Sequence, residues 1–296
     1  MLTEKFFIAL IAIVYSNSIL VLSNEVQLTC VKSNTLSQFS VIIDCSLPVE
    51  EPIDLTVTSS DIDFEQIKSE ENDKRIAIEI IGNENYPENM PEGLGRAIDG
   101  VEIFTYRNTS LKSLKRSDFT EMSSKLFKLF LDHNKIEEIE PETFHDLTNL
   151  FVLSLGKNKL KTLPSEMLSH APKFSFLIIK ENEITELSPE LFKNSPKLKK
   201  LFASKNQISE LHPELFVNNP ELMIIGFRDN KIKNVPYDFR LFNSLYIADF
   251  MNNADGCDTI YNVNEFKPNF CNKECQERTI KNIDEFQIKI EEICRN

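Results

Sequence analysis

Five consecutive stretches of this 296-residue chain repeat one apolar pattern every 24 residues. Leu126, Leu129, Leu131, Asn134 and Ile136 recur as Leu150, Leu153, Leu155, Asn158 and Leu160, then as Phe174, Leu177, Ile179, Asn182 and Ile184. The next copies are Leu198, Leu201, Ala203, Asn206, Ile208 and Leu222, Ile225, Phe227, Asn230, Ile232. Weaker copies flank the run at Val101, Phe104, Tyr106, Thr109, Leu111 and at Leu245, Ala248, Phe250, Asn253. No unit of this size can bury its own apolar face, so at least three must stack. The chain is therefore constrained to a solenoid of about seven coils, which presents a long curved surface suited to recognition.

The residues inside each copy say how the coils are built. The Leu-x-Leu centre alternates with period two, which predicts a short strand whose leucines point inward and whose intervening residues point to the concave side. Stacked coils make those strands parallel. An asparagine follows where the strand ends: Asn134, Asn158, Asn182, Asn206, Asn230 and Asn253. A buried amide carries donors and acceptors, so this column reads as a ladder serving backbone groups of adjacent coils. A second apolar pair comes next (Ile136/Ile139, Leu160/Leu163, Ile184/Leu187, Ile208/Leu211, Ile232/Val235), with Pro141, Pro164, Pro189, Pro213 and Pro236 at the corner. Proline's fixed φ and missing N–H are tolerated there. Phe144, Phe192, Phe216, Phe239 and Phe242 then fill the convex side, with a turn of helix or irregular backbone. This is the leucine-rich-repeat pattern. The fold class expected is an α/β solenoid, a leucine-rich-repeat arc with a parallel concave sheet, stapled caps at both ends and a short C-terminal helix.

The ends differ from the middle. Residues 1–23 read as a signal peptide, with Lys5 before an apolar run that ends at Val21-Leu22-Ser23; polar Ser16, Asn17 and Ser18 interrupt it, which argues against a membrane anchor. Residues 24–100 are expected to form an N-terminal cap and a first irregular repeat, 101–253 the repeats, and 254–296 a C-terminal cap. The formal charge of −13 argues against nucleic acid as the principal partner. Nine acids against Lys68 in residues 50–73 read as a solvated loop.

Six cysteines lie at the two ends, Cys30 and Cys45, then Cys257, Cys271, Cys275 and Cys294. A stack of coils keeps the two groups much farther apart than the ~7 Å a bridge spans between Cα atoms. That leaves Cys30–Cys45, across a strand pair marked by Val26/Leu28 and Val41/Ile43, and three pairings at the other end. Ile280, Ile283, Phe286, Ile290 and Ile293 read as an amphipathic helix. Unbroken from Cys275 to Cys294 it spans about 28 Å at 1.5 Å per residue, which favours Cys257–Cys294 with Cys271–Cys275.

Asn158-x-Leu160-x-x-Leu163-Pro164, the endings Leu191-Phe192-x-Asn194-x-Pro196 and Leu215-Phe216-x-Asn218-x-Pro220, and Met90-Pro91-Glu92-Gly93-Leu94-Gly95 before Asn108 resemble a group of secreted insect leucine-rich-repeat proteins. The resemblance covers roughly residues 26–296. Asn253-Ala254-Asp255-Gly256-Cys257 with a helix ending at Cys294 is similar to that group's C-terminal cap, and so supports the Cys257–Cys294 pairing. Mosquito leucine-rich immune molecules are more distantly similar. The likeness implies extracellular recognition in immunity or development. Those molecules carry a longer coiled coil after the repeats; the two heptads here favour a capping role and a monomer over a homodimer through this helix.

Two columns alternate with the core leucines: Ile103, Lys128, Val152, Phe176, Lys200, Ile224, Ile247, and Thr105, Phe130, Ser154, Ile178, Phe202, Gly226, Asp249. Solvent-facing strand positions usually read polar, so Phe130, Phe176, Ile178 and Phe202 are expected to form an exposed apolar strip that binds a partner. Lys128, Lys180, Lys200 and Arg228 join it as cationic contacts, with Arg107, Lys157 and Lys205 nearby against Asp132, Glu181, Asp229 and Asp249. Asn108-Thr109-Ser110 is a glycosylation sequon just past a strand, and a glycan on Asn108 would shade one end of this face. Catalysis finds no support: His133, His145, His170 and His212 are scattered over repeat turns without a nucleophile or zinc motif, and His133 beside Asp132 reads as a solvated pair. No cofactor and no metal are expected. The reading is a secreted, non-enzymatic protein that binds an extracellular protein or glycan through its concave face, with no membrane span in the mature chain. A matrix assembly protein and a soluble decoy or inhibitor are the alternatives.

Overall fold

The structure is a computed structural model that describes residues 25–32, 40–46, 56–60, 75–98, 100–122, 125–254 and 260–262. The expected leader, the C-terminal helix, most of the acidic stretch, and Cys257, Cys271, Cys275 and Cys294 lie outside the described residues.

The Leu-x-Leu centres form the strands the alternation predicts. These are β5 (Ile103–Arg107), β7 (Lys128–Phe130), β9 (Val152–Ser154), β10 (Phe176–Ile178), β11 (Lys200–Phe202), β12 (Ile224–Gly226) and β13 (Ile247–Asp249). The seven are parallel to one another, and their register aligns Ile103, Lys128, Val152, Phe176, Lys200, Ile224 and Ile247 in one row. The row read from sequence alone is thus the row the sheet builds. A two-residue ladder between β6 (Ser113–Leu114) and β8 (Glu138–Ile139) begins a second, flanking sheet.

The concave sheet continues beyond the repeats at both ends. β4 (Arg75–Ile81) adds one more parallel strand beside β5. β2 (Ser40–Ser46) is parallel to β4, whereas β1 (Glu25–Lys32) runs antiparallel to β2 and sets Cys30 opposite Cys45. β3 (Thr56–Ser60) lies outside β1, so the strand pair carrying the cysteines is covered by a further strand. At the other end β14 (Ile260–Asn262) pairs antiparallel with β13. Reversing direction at an end lets a short segment satisfy an open strand edge without another coil.

Behind the sheet lies the apolar core. Leu129, Leu131, Leu153, Leu155, Leu177, Leu201, Ile225 and Phe227 have no exposed surface. On the convex side phenylalanines stack from coil to coil, with Phe119 and Phe144 centroids 5.6 Å apart and Phe192 and Phe216 5.9 Å apart. Helix is scarce. The described residues hold one four-residue α-helix, α1 (Leu94–Ala97), and two 3₁₀ turns, Arg116–Asp118 and Phe239–Leu241. The other convex segments close through bonds three residues apart, such as Leu147 N–H to Phe144 and Ser195 N–H to Phe192. A 24-residue period leaves too few residues there for a longer helix.

One residue per coil turns the chain off the strand. Asn108, His133, Lys157, Glu181, Lys205, Asp229 and Asn252 all adopt left-handed φ values between 54° and 58°. The conformation costs a side-chain-bearing residue roughly 1–2 kcal/mol. It aims the next residue inward, where the asparagines offset the cost. Asn158 donates Nδ2–H to the carbonyls of Leu131 and Leu155 and accepts the N–H of Ile136 at Oδ1, 3.0 Å away. Asn182, Asn206, Asn230 and Asn253 repeat the same bonds one coil further on. In the first coil Thr109 stands at this position, and its N–H and Oγ1–H both donate to Asn134 Oδ1 at 2.8 Å.

Candidate functional site

The concave face is where the expected strip falls, and the structure corrects it. Phe130, Ile178 and Phe202 are only 5%, 2% and 3% exposed, and Phe176 is half-buried. They pack with Ala77, Ile103, Val152 and Ile224 into a second apolar cluster on the inner surface. Alternation assigns a side chain to a face; it says nothing of how wide that face is. Strands only three residues long bring side chains of adjacent coils, about 4.8 Å apart, into mutual contact across the arc. The inner wall is a dry floor, not an open greasy band.

Two rims border this floor. On the side where the strands begin, Phe127 and Phe151 stack at 4.8 Å, and Phe151 tilts against Phe176 at 5.1 Å. All three are half-buried, so their edges remain open to a partner. Lys200 lays its ammonium 4.9 Å from the centre of the Phe176 ring. Lys128 is half-buried in the same row.

The opposite rim carries charge. Not every expected cation there is available. Arg228 donates Nε–H to Asp249 Oδ2 at 3.0 Å, with side chains 12% and 2% exposed, so this pair is part of the floor. Arg107 contacts Glu79 at 2.6 Å, and Lys205 approaches Glu181 at 3.9 Å. Phe130, Asp132, His133, Ser154, Lys157, Ile178 and Lys180 line a hollow in this rim. In its wall Asp132 Oδ1 accepts Ser154 Oγ–H at 2.5 Å and the N–H of Gly156 at 3.0 Å. Gly156 is required for that approach, since a Cβ there would stand 2.8 Å from Asp132 Oδ1. Desolvation, together with the positive charges of Lys157, Arg107 and Lys180, pushes the His133 imidazole below its usual range, and only Glu181 opposes. Asp132 is therefore part of a built wall, whose signal in the sequence was the aligned Ser154 and Gly156 one coil on, while His133 beside it is exposed.

The remaining candidates fall apart from this face. Asn108 is exposed at the end of the charged rim, while Thr109 and Ser110 are buried. His145 and His170, 25 positions apart, meet on the convex side with ring centres 3.8 Å apart. His145 Nδ1 lies 3.1 Å from both Arg116 Nη2 and Asp146 Oδ1, and the Arg116 guanidinium holds the Asp146 carboxyl down at about 2. Nothing in the spacing of isolated histidines announces this meeting. Among the described residues no group of three or more His, Cys, Asp or Glu side chains is placed to hold a metal ion.

A leucine-rich-repeat family model matches residues 124–183 and 172–232. No curated protein matches the sequence. Among solved structures, the mosquito LRIM1/APL1C complex is similar at 17% identity and a TM-score of 0.56, over 70% of this chain and 35% of that one. The APL1 leucine-rich-repeat domain is similar at 18% identity and a TM-score of 0.48, over 74% of this chain and 46% of that one. A TLR13–ssRNA13 complex is similar at 25% identity and a TM-score of 0.43, over 64% of this chain and 24% of that one. The chain spans less than half the length of each of these. The family model and the likeness to the LRIM1/APL1C complex show the leucine-rich-repeat fold.

Proposed function

Starting from a leucine-rich-repeat arc with a closed floor and two contrasting rims, we propose that the protein is a secreted recognition protein that binds another extracellular protein through its concave face, without chemistry of its own. The observation that carries this reading is the half-exposed row of Lys128, Phe176 and Lys200 beside the Phe127–Phe151 stack. Aromatic rings with polar neighbours, held rigid by a packed floor, are the kind of surface that concentrates binding energy. Phe176, Lys200 and Lys128 make the contact on one rim and Lys180 on the other; Phe130, Ile178 and Phe202 hold the floor beneath them. Arg228 belongs with the floor through Asp249.

Residues 2–23, with the pattern of a secretory leader, support an extracellular location. Among the described residues no helix is long and apolar enough to cross a membrane. The LRIM1/APL1C structure is a complex of two proteins, which supports a protein as the partner class.

The test is affinity capture from extracellular fluid with the wild-type chain and a Phe176→Asp/Lys200→Glu variant, each read by mass spectrometry. A protein captured by the first and lost by the second, while the variant still unfolds cooperatively with a thermal midpoint lowered by no more than a few degrees, is the expected result. Equal capture by both would move the site off this face.

A further inference from the structure

The convex back changes character in its last two coils. One position per coil there donates its N–H to the carbonyl of an acid three residues earlier: His145 to Glu142, Ser169 to Glu166, Lys193 to Glu190, Val217 to Glu214 and Leu241 to Asp238. The shared bond places these five residues in one row. The first three are polar, as a row facing water should be, whereas Val217 and Leu241 are apolar and 70% and 77% exposed. Among the described residues only Ile81, in β4 near the other end of the sheet, is a further large apolar side chain left open. Phe242, next to Leu241, is half-buried and extends the patch. We propose that the chain's own C-terminal segment covers it, with the apolar stripe of Ile280, Ile283, Phe286, Ile290 and Ile293 laid over Val217 and Leu241 as a helix.

The end of the sheet delivers the chain to this place. β14 runs antiparallel to β13, so Asn262 stands opposite Ile247, on the side where the last convex segment enters the sheet. Leu241 precedes Ile247 by six residues and therefore lies within about 20 Å of it, at about 3.5 Å per residue of extended chain. Ile280 follows Asn262 by eighteen residues, which span up to about 60 Å. The stripe reaches the patch with chain to spare.

Area decides between a tethered segment and a separate molecule. Two exposed side chains and part of a third cover far less than the about 800 Å² per partner that a stable contact between separate proteins buries. A segment joined to the same chain needs no such area, because a flexible tether holds it at an effective concentration of the order of millimolar. Its five apolar side chains, on one face at helical spacing, gain by leaving water in the same step. Docking on the convex back leaves both concave rims uncovered, so this inference stands apart from the concave-face reading.

The experiment uses the full mature chain with p-benzoylphenylalanine in place of Leu241, irradiated as an equal mixture of ¹⁵N-labelled and unlabelled protein and mapped by mass spectrometry. Adducts should join this position to residues 280–293 of the same copy, and the same probe in place of Lys193, in the polar part of the row, should give none there. Amide hydrogen exchange is followed in parallel. Peptides from 280–293 should be protected in the wild type and exchange about tenfold faster in Leu241→Asp, the scale of losing one leucine's burial. Peptides from 126–232 should be unchanged, and Leu241→Met should restore the protection. Adducts between labelled and unlabelled copies would make the patch a contact between molecules and overturn the proposal. So would adducts confined to residues 254–279, no adduct within 280–293, wild-type exchange over 280–293 at the rate of unprotected amides, or equal exchange there in the wild type and Leu241→Asp.

Discussion

Replacing Asn182 by alanine removes four hydrogen bonds but orphans one backbone group. Its Nδ2 reaches the carbonyls of Leu155, Ile179 and Lys180 at 2.9, 3.1 and 3.3 Å, and its Oδ1 accepts the N–H of Leu160 at 3.0 Å. Leu155 keeps a donor in Asn158 at 3.0 Å, and Ile179 keeps one in Asn206 at 2.9 Å. Leu160 N–H is left alone in the core. A buried unsatisfied donor costs about 1–3 kcal/mol, so with the weakened carbonyl bonds the single variant should lose about 3 kcal/mol. The sharing has a further consequence. In Asn158→Ala/Asn182→Ala the Leu155 carbonyl loses both donors at once, a loss neither single variant suffers. The double variant should exceed the sum of the singles by about 1–2 kcal/mol. Asn158→Ala/Asn206→Ala, which share no carbonyl, should be additive to about 0.5 kcal/mol. Urea unfolding followed by far-ultraviolet circular dichroism gives all five free energies. Additivity in the adjacent pair, or equal coupling in both pairs, would refute the shared-carbonyl account of the ladder.

Phe202→Asp should destabilise the fold by about 3–5 kcal/mol in thermal or urea unfolding because it places a charge in the closed floor, whereas Phe176→Asp, at a half-exposed ring, should cost about 1 kcal/mol. Burial raises the Asp118 carboxyl from 3.8 to about 6, against the N–H of Lys115 that bonds it. A carboxyl whose folded pKa lies above its unfolded one costs stability as pH rises between those two values, so Asp118→Asn should be more stable by roughly 1–3 kcal/mol at pH 7 and level with wild type below about pH 4; a pH-independent difference would remove that cause. Gly156→Ala should displace Asp132, break its bond to Ser154 and lower stability by about 1 kcal/mol, read as a fall in thermal midpoint. Peptide mapping under non-reducing conditions should recover Cys30 joined to Cys45, which the β1–β2 register sets opposite each other; Cys30 linked to any C-terminal cysteine would contradict the register.

How much of this was legible in the sequence differs by residue. Asn158 and Asn182 announce their place because the ladder demands one residue type at one spacing, and their bonds fall where the period puts them. The row from Ile103 to Ile247 was readable for the same reason: in a parallel stack of equal coils, equal sequence offset is equal height. Phe130 and Phe202 were assigned the right face and the wrong exposure, because exposure depends on what adjacent coils place beside a side chain. Arg228 reads as a cation in the sequence; only a neighbour 21 positions away makes it half of a closed pair.

The period by itself determined that this chain is an arc, which strands neighbour which, and which residues line each side, since those follow from local alternation and from a repeat too short to fold alone. Tertiary structure decided which of the inner residues meet water, how the ends reverse direction to close the sheet, and where Asp132, Ser154, Lys157 and Lys180 converge into a hollow. Those outcomes depend on the distances between side chains from different coils, and distance across coils is a property of packing that no single repeat encodes.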